Sequence, residues 1–230
     1  MILGSKEIPK HVALMTSGQI LAKTDLKSIT DFYKKKFAKI NWIMDIQISR
    51  NIPIMTAYLI NSSVKNSEHF SMIMDNLAEF FDDIRANQEV HRNKVKISVL
   101  GKWYDLPGRV IDSIKAVIDE TKDYDSFFLN LCINYDGREE VVDACKMVAR
   151  KIQAGKLDPE SIDKETIKDS IYSSYFIPPE LIIKTGKEKK LRGFLLWDAI
   201  DSHIYFSGKN WLQFNEKDFD KAIKDWEEGR

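Results

Sequence analysis

The sequence predicts one α/β domain, with a central, mostly parallel sheet flanked by helices. Three observations predict it. Short runs rich in Val, Ile, Leu and Phe alternate with longer amphipathic stretches, and strand–helix alternation marks a parallel sheet covered on both faces. The chain has 230 residues, 43% of them hydrophobic, enough for one sizeable core. No Pro/Gly/Ser-rich linker, internal repeat or low-complexity tract divides it, so residues 1–230 read as a single domain.

Taken in order, the expected buried strands are His11–Thr16, Ile54–Ile60, Val95–Leu100, Phe127–Asn134 and Leu181–Lys184, each short and apolar. Between them, Phe70, Ile73, Leu77, Phe80 and Ile84 recur at helical spacing, as do Val110, Ile111, Ile114, Val117 and Ile118. Val141, Val142, Cys145, Val148 and Ile152 outline a third helix. Pro107 stands near the start of the second, where a missing N–H costs little, and Gly155 closes the third. The polar stretch Lys156–Tyr175 predicts short helices, ended by Pro178-Pro179. Phe219, Ile223 and Trp226 predict a terminal amphipathic helix over Glu216–Glu228.

Lys+Arg and Asp+Glu both number 35. A balanced charge provides no general attraction to nucleic acid or to an anionic membrane, so no nucleic-acid partner is expected, and any anion site must come from local clustering. The first residues lack a basic stretch followed by an apolar run, and no segment approaches ~18 consecutive apolar residues. The expectation is a cytoplasmic protein, with peripheral membrane contact left open. Cys132 and Cys145 fall in apolar-periodic segments and read as two buried thiols. The four histidines lack zinc-site spacing. His11 reads as a satisfied structural residue, and His69 and His91 receive no role.

Several phrases resemble the cis-prenyltransferase (undecaprenyl diphosphate synthase-like) family. Pro179-Glu180-Leu181-Ile182-Ile183-Lys184-Thr185, followed by Leu191-Arg192-Gly193-Phe194-Leu195-Leu196-Trp197, is similar to its P-D-L-L-I-R-T-S-G-E-x-R-L-S-N-F-L-L-W. Tyr205-Phe206 and Trp211-x-x-Phe214 match E-L-Y-F-x-x-x-x-W-P-x-F. Leu129–Glu140 resembles L-N-I-A-L-N-Y-G-G-R-x-E, Val99-Leu100-Gly101 with Leu106-Pro107 resembles V-I-G-D-x-x-x-L-P, and His11-Val12-Ala13 opens the pattern. The matches run in order along the whole chain. The resemblance implies an apolar tunnel for a growing prenyl chain, a dimer formed by the final third (residues 194–230), and magnesium-dependent condensation of isopentenyl with allylic diphosphates.

The pattern breaks where that chemistry is made. The departing diphosphate needs a metal and preorganised donors. The resemblance places the metal-holding aspartate at Ser17, and a diphosphate cradle at Gly18 and the residues after it. A neutral hydroxyl is a poor ligand for a hard cation, while Ile20 and Leu21 replace a glycine and an arginine. The family's S-T-E-N-W becomes Asn61-Ser62-Ser63-Val64-Lys65, and its metal-binding glutamate aligns with His203. No catalytic residue is therefore assigned. No cofactor is expected for the chain alone, and magnesium enters only if a partner completes the site.

The second diphosphate site keeps its charge: Lys184, Lys190 and Arg192 align with the family's two arginines and serine, with Lys187 and Lys189 nearby and Thr185-Gly186 as further backbone donors. With Gly18 they are the expected diphosphate-binding residues. Tyr205, Phe206, Trp211 and Phe214 are the expected interface anchors. Lys34-Lys35-Lys36 reads as a solvated helix face, although the family's phosphate-contacting segment falls there. Phe70, Phe80 and Phe81 read most simply as core, with a tunnel-facing role as the alternative. Three functions follow. The first is a non-catalytic subunit paired with a catalytic homologue, or with itself as a dimer, in a synthase making a glycosyl carrier lipid. The second is a diverged enzyme acting on prenyl diphosphates. The third is a protein that binds a prenyl lipid or diphosphate without turnover.

Overall fold

The computed structural model describes residues 7–16 and 26–229. Six strands form one sheet: β1 (His11–Met15), β2 (Ile54–Asn61), β3 (Val95–Leu100), β4 (Phe127–Tyr135), β5 (Leu181–Lys184) and β6 (His203–Phe206). Their order is β3-β4-β2-β1-β5-β6, and every pairing is parallel. The five expected strands are present within a residue or so. The sixth, β6, was not expected as a strand. It is a four-residue edge element, half-buried along its length, so it shows neither a continuous apolar run nor clean alternation.

The strands alternate their side chains between two cores, as the two-residue pleat period requires. Val12 and Leu14 of β1 face the larger core, whereas Ala13 and Met15 face the smaller. The larger core is covered by α1 (Leu26–Ser49) and α2 (Phe70–Ala86), the short α3 (Gln88–Arg92), and α4 (Gly108–Thr121). On the other face lie α5 (Gly137–Gln153), the short α6 (Lys164–Lys168) and the irregular stretch that contributes Tyr172, Phe176, Phe194 and Leu195. The terminal α7 (Glu216–Glu228) returns to the larger core through Phe219, Ala222 and Trp226.

Helix α1 is 24 residues long. Ile29, Tyr33, Phe37, Ile40, Met44 and Gln47 line its inner face at helical spacing, and Gln47 closes it inside by donating to the carbonyls of Pro53 and Phe128. Asn51, with φ of 53°, ends it in the left-handed region that asparagine tolerates. Pro107 caps α4, and Gly155 follows α5 with φ of 65°, both as expected. The buried face of α5 differs from expectation: Gly137, Glu140, Ala144 and Val148 point inward. Val142 and Cys145 are exposed, so only Cys132 of the two thiols is buried. Among the described residues, no helix is long and apolar enough to cross a membrane.

Candidate functional site

A parallel sheet offers its ligand crevice at the carboxyl ends of the strands, where the chain changes direction across the sheet. Here that place is the end of β1, because the chain runs from β1 to β2 on one side and returns as β5 on the other. A cleft of about 400 Å³ opens there. Met15 and Thr16 form its floor, Tyr58–Asn61 with Ser63, Val64 and Ser67 one wall, Tyr33 and Lys36 of α1 a second, and Lys184, Glu188 and Arg192 a third.

Of the expected diphosphate ligands, Lys184 and Arg192 line this cleft, and Lys190 is exposed on the adjoining loop. Ser17 and Gly18, together with Ile20 and Leu21, lie outside the described residues. Lys184 is buried, donating from Nζ to the Thr185 carbonyl at 2.6 Å. Burial, then the neighbouring Arg192 guanidinium, pull its pKa down, while Glu188 opposes them. The Arg192 guanidinium forks onto the Glu188 carboxylate at 2.8 and 2.6 Å, a bidentate pair. The basic cluster thus holds its own counter-ion. The Thr185 and Gly186 N–H groups, expected as anion donors, are instead bonded to the carbonyls of Met15 and Lys209.

Lys36 corrects the reading of Lys34–Lys36 as a solvated face. Lys34 pairs at the surface with Glu79, and Lys35 is exposed. Lys36, one step further round the helix, is 8% exposed and donates to the Leu59 carbonyl at 2.6 Å. Desolvation lowers its pKa to about 8. Since the unfolded chain keeps the ordinary value of 10.5, it binds a proton between about pH 8 and pH 10.5 that the folded chain has released. Stability attributable to Lys36 therefore rises with pH across that window, by up to ~3 kcal/mol. A Lys36→Met variant should start more stable than the wild type near neutrality and lose that advantage by pH 10.5, as read by urea denaturation at a series of pH values. A constant difference would show that Lys36 keeps its ordinary titration.

Two of the four expected interface anchors are not surface groups. Trp211 and Phe214 are fully buried in this chain's own larger core. Trp211 donates from Nε1 to the Lys36 carbonyl at 3.0 Å, and both rings pack edge-on against Trp42. The side chains fill the groove between α1 and the segment before α7, which places them under the fold rather than on it. Tyr205 and Phe206 on β6 are half-buried. His203 begins β6, at the end of the sheet away from the cleft, and its Nε2 lies 2.7 Å from Asp225.

His11 is satisfied as expected, with one ring nitrogen 2.6 Å from the Ile177 carbonyl and the other 2.8 Å from Thr56 Oγ1. The aromatic stripe is core: Phe80 stands 5.6 Å from Phe37 and 5.2 Å from Phe81, all of them buried. Close packing therefore occupies the space between α1 and α2. Sequence reasoning missed Glu140, buried at the start of α5, where it accepts from the Tyr135 hydroxyl at 2.5 Å and the Tyr172 N–H at 3.1 Å. Burial raises its pKa to about 7.

The cleft tests poorly as a magnesium site. Magnesium takes oxygen ligands, carboxylates first among protein groups. The one carboxylate among the described lining residues is Glu188, already held by Arg192, and two lysines face the same space. Among the described residues, no group of three or more His, Cys, Asp or Glu is placed to hold a metal.

Comparison with known proteins decides the family. The family model described as "Putative undecaprenyl diphosphate synthase" matches residues 21–230. The chain belongs to the undecaprenyl diphosphate synthase family. It is 31% identical over 228 residues to the tritrans,polycis-undecaprenyl-diphosphate synthase (geranylgeranyl-diphosphate specific) of Methanocaldococcus jannaschii, covering 96% of this chain and 80% of that one. It is also 31% identical over 227 residues to the isoprenyl transferase of Prochlorococcus marinus subsp. pastoris, covering 98% and 83%. The fold matches lavandulyl diphosphate synthase from Lavandula x intermedia, crystallised with dimethylallyl diphosphate, at a TM-score of 0.84, 22% identity and 95% of each chain. A probable undecaprenyl diphosphate synthase from Campylobacter jejuni matches at 0.74 and 22% identity, covering 96% of this chain and 95% of that one. This family member thus has the single-sheet α/β architecture of its relatives across nearly its whole length.

Proposed function

We propose that the chain holds prenyl diphosphates without elongating them alone, and serves as the accessory subunit of a two-chain cis-prenyltransferase that makes a glycosyl carrier lipid. One observation carries this reading: the strand-end cleft pairs two buried lysines with a single carboxylate, and that carboxylate is tied to a guanidinium. Such a cleft favours an anion and gives a divalent ion little to bind. The alignment of Ser17 with the family's aspartate supports the same conclusion. A catalytic partner would then supply the metal and the reacting geometry.

The experiment is an elongation assay with labelled isopentenyl diphosphate, an allylic diphosphate and magnesium, run on the purified chain and on the chain co-expressed with a homologue that keeps the aspartate. The expected result is no product from the chain alone and more product, or a longer one, from the pair than from the homologue alone. Polyprenyl product made by the isolated chain would replace this reading with that of a diverged transferase. Unchanged output from the homologue would remove the accessory role.

A further inference from the structure

The family's chemistry calls for magnesium, and the described residues of this cleft do not suit it. We propose that Lys36 and Lys184 stand in for the cation, so that the chain binds a prenyl diphosphate without metal. This rests on the diphosphate-binding part of the proposed function.

Lys36 is 8% exposed and Lys184 is 2% exposed. A buried ammonium is expensive unless an opposite charge meets it. The Lys36 ammonium donates to the Leu59 carbonyl oxygen and lies 5.9 Å from the centre of the Tyr33 ring. An ammonium has three donors, so this cation is poised over a cleft that an anion can enter. Lys184 approaches from the other side. Its strand, β5, is separated from β2 by β1, a gap of roughly 10 Å between strand axes. The two lysines therefore bracket the end of β1 from opposite sides. A diphosphate lying over Thr16 would meet positive charge at both of its ends.

The other groups around Lys36 leave it this role. Tyr33 lies on its own helix, Tyr58 comes from β2, Lys184 from β5, and Glu188 and Arg192 from the loop after β5. The acid among them, Glu188, is neutralised by Arg192. Glu188 acts on Lys184 as well as on Arg192, whereas no carboxylate among the described residues bonds the Lys36 ammonium. An entering diphosphate would draw a proton onto Lys36, whose burial otherwise favours the neutral amine above about pH 8.

Isothermal titration calorimetry with dimethylallyl diphosphate, in EDTA and then in magnesium, tests the assignment. The expected result is equal affinity in both. Lys36→Met and Lys184→Met should each weaken binding roughly tenfold to a hundredfold, with circular dichroism and melting curves confirming that the variants fold. Wild-type affinity should fall above about pH 8, with proton uptake seen in buffers of different ionisation enthalpy. Lys36→Arg, whose guanidinium stays charged, should bind equally on both sides of that pH. Tighter binding of dimethylallyl diphosphate than of inorganic pyrophosphate supports a prenyl ligand; equal binding overturns the prenyl part. Binding that requires magnesium overturns the inference while leaving diphosphate binding in place. Absence of heat under both conditions overturns the inference and the proposed function together. Wild-type affinity in Lys36→Met removes Lys36 from the site.

Discussion

Trp211→Ala is expected to cost ~3–5 kcal/mol of folding stability, the range for deleting a large buried aromatic side chain. Trp211 is fully buried and rests against Trp42, with ring centroids 6.5 Å apart. The Lys39 ammonium lies 5.3 Å from its ring. The loss combines apolar area, a cavity that α1 and α7 cannot both close, and an indole hydrogen bond left unmade at the Lys36 carbonyl. For a chain of this size the melting temperature should drop by roughly 6–20 °C. The drop should be the same at every protein concentration, because the ring is buried within one chain. If Trp211 instead anchored a subunit contact, the variant would keep its monomer stability and lose only association, so sedimentation and melting measured across a dilution series separate the two. Diphosphate affinity should also fall, because the truncated ring no longer fixes the backbone that carries Lys36.

The second large effect concerns Gly137. It is the first residue of α5, following the Asp136 cap whose carboxylate accepts from the Arg138 N–H at 2.9 Å. A Cβ there would overlap the Gly193 carbonyl oxygen and come within 2.9 Å of Leu196 Cβ. The obstacle is backbone, so it cannot rotate away, and the loop must move. That loop includes Arg192, which already sits at φ of 48°. Gly137→Ala should therefore cost about 3 kcal/mol and weaken diphosphate binding as well. Gly155→Ala serves as the control. Gly155 has a positive φ but open space around its Cβ position, so alanine there should cost ~1–2 kcal/mol of backbone strain with no change in affinity. A Gly137→Ala protein with wild-type stability and affinity would show that the α5 start and the Arg192 loop are not in register as described.

Why some features were legible and others were not follows from the same physics. Five strands could be read because each is a short apolar run bounded by polar residues, and burial on both faces leaves that mark in any sequence. β6 is an edge strand of four half-buried residues; Ile204, Tyr205 and Phe206 favour a strand, but the run is too short and too evenly half-buried to show alternation or a continuous buried stretch. The stripe that makes α1 is interrupted on paper by Lys34-Lys35-Lys36, which looks like a solvent face. In three dimensions a helix turns 100° per residue, so Lys34 and Lys36 of one triplet look in different directions, one toward Glu79 and one into the cleft. The weak signal for Lys36 was its correspondence with a phosphate-contacting segment of the family. The positive charge of Lys184 and Arg192 could be read; the Glu188 that tempers it, four residues from Arg192 in the same loop, could not be weighed without geometry. Trp211 and Phe214 were read as contact residues because large aromatics serve interfaces and cores alike, and only burial tells the two uses apart.

All six strands point the same way, and this makes the molecule two-ended. The lysine-lined cleft opens where the strands finish. The turns where they begin, such as the exposed stretch around Asp123 before β4, face away from it. A fluorophore or surface tether attached at Asp123 would leave the lysine-lined mouth open, so the protein can be immobilised or tracked by its blunt end while small ligands are offered at the other.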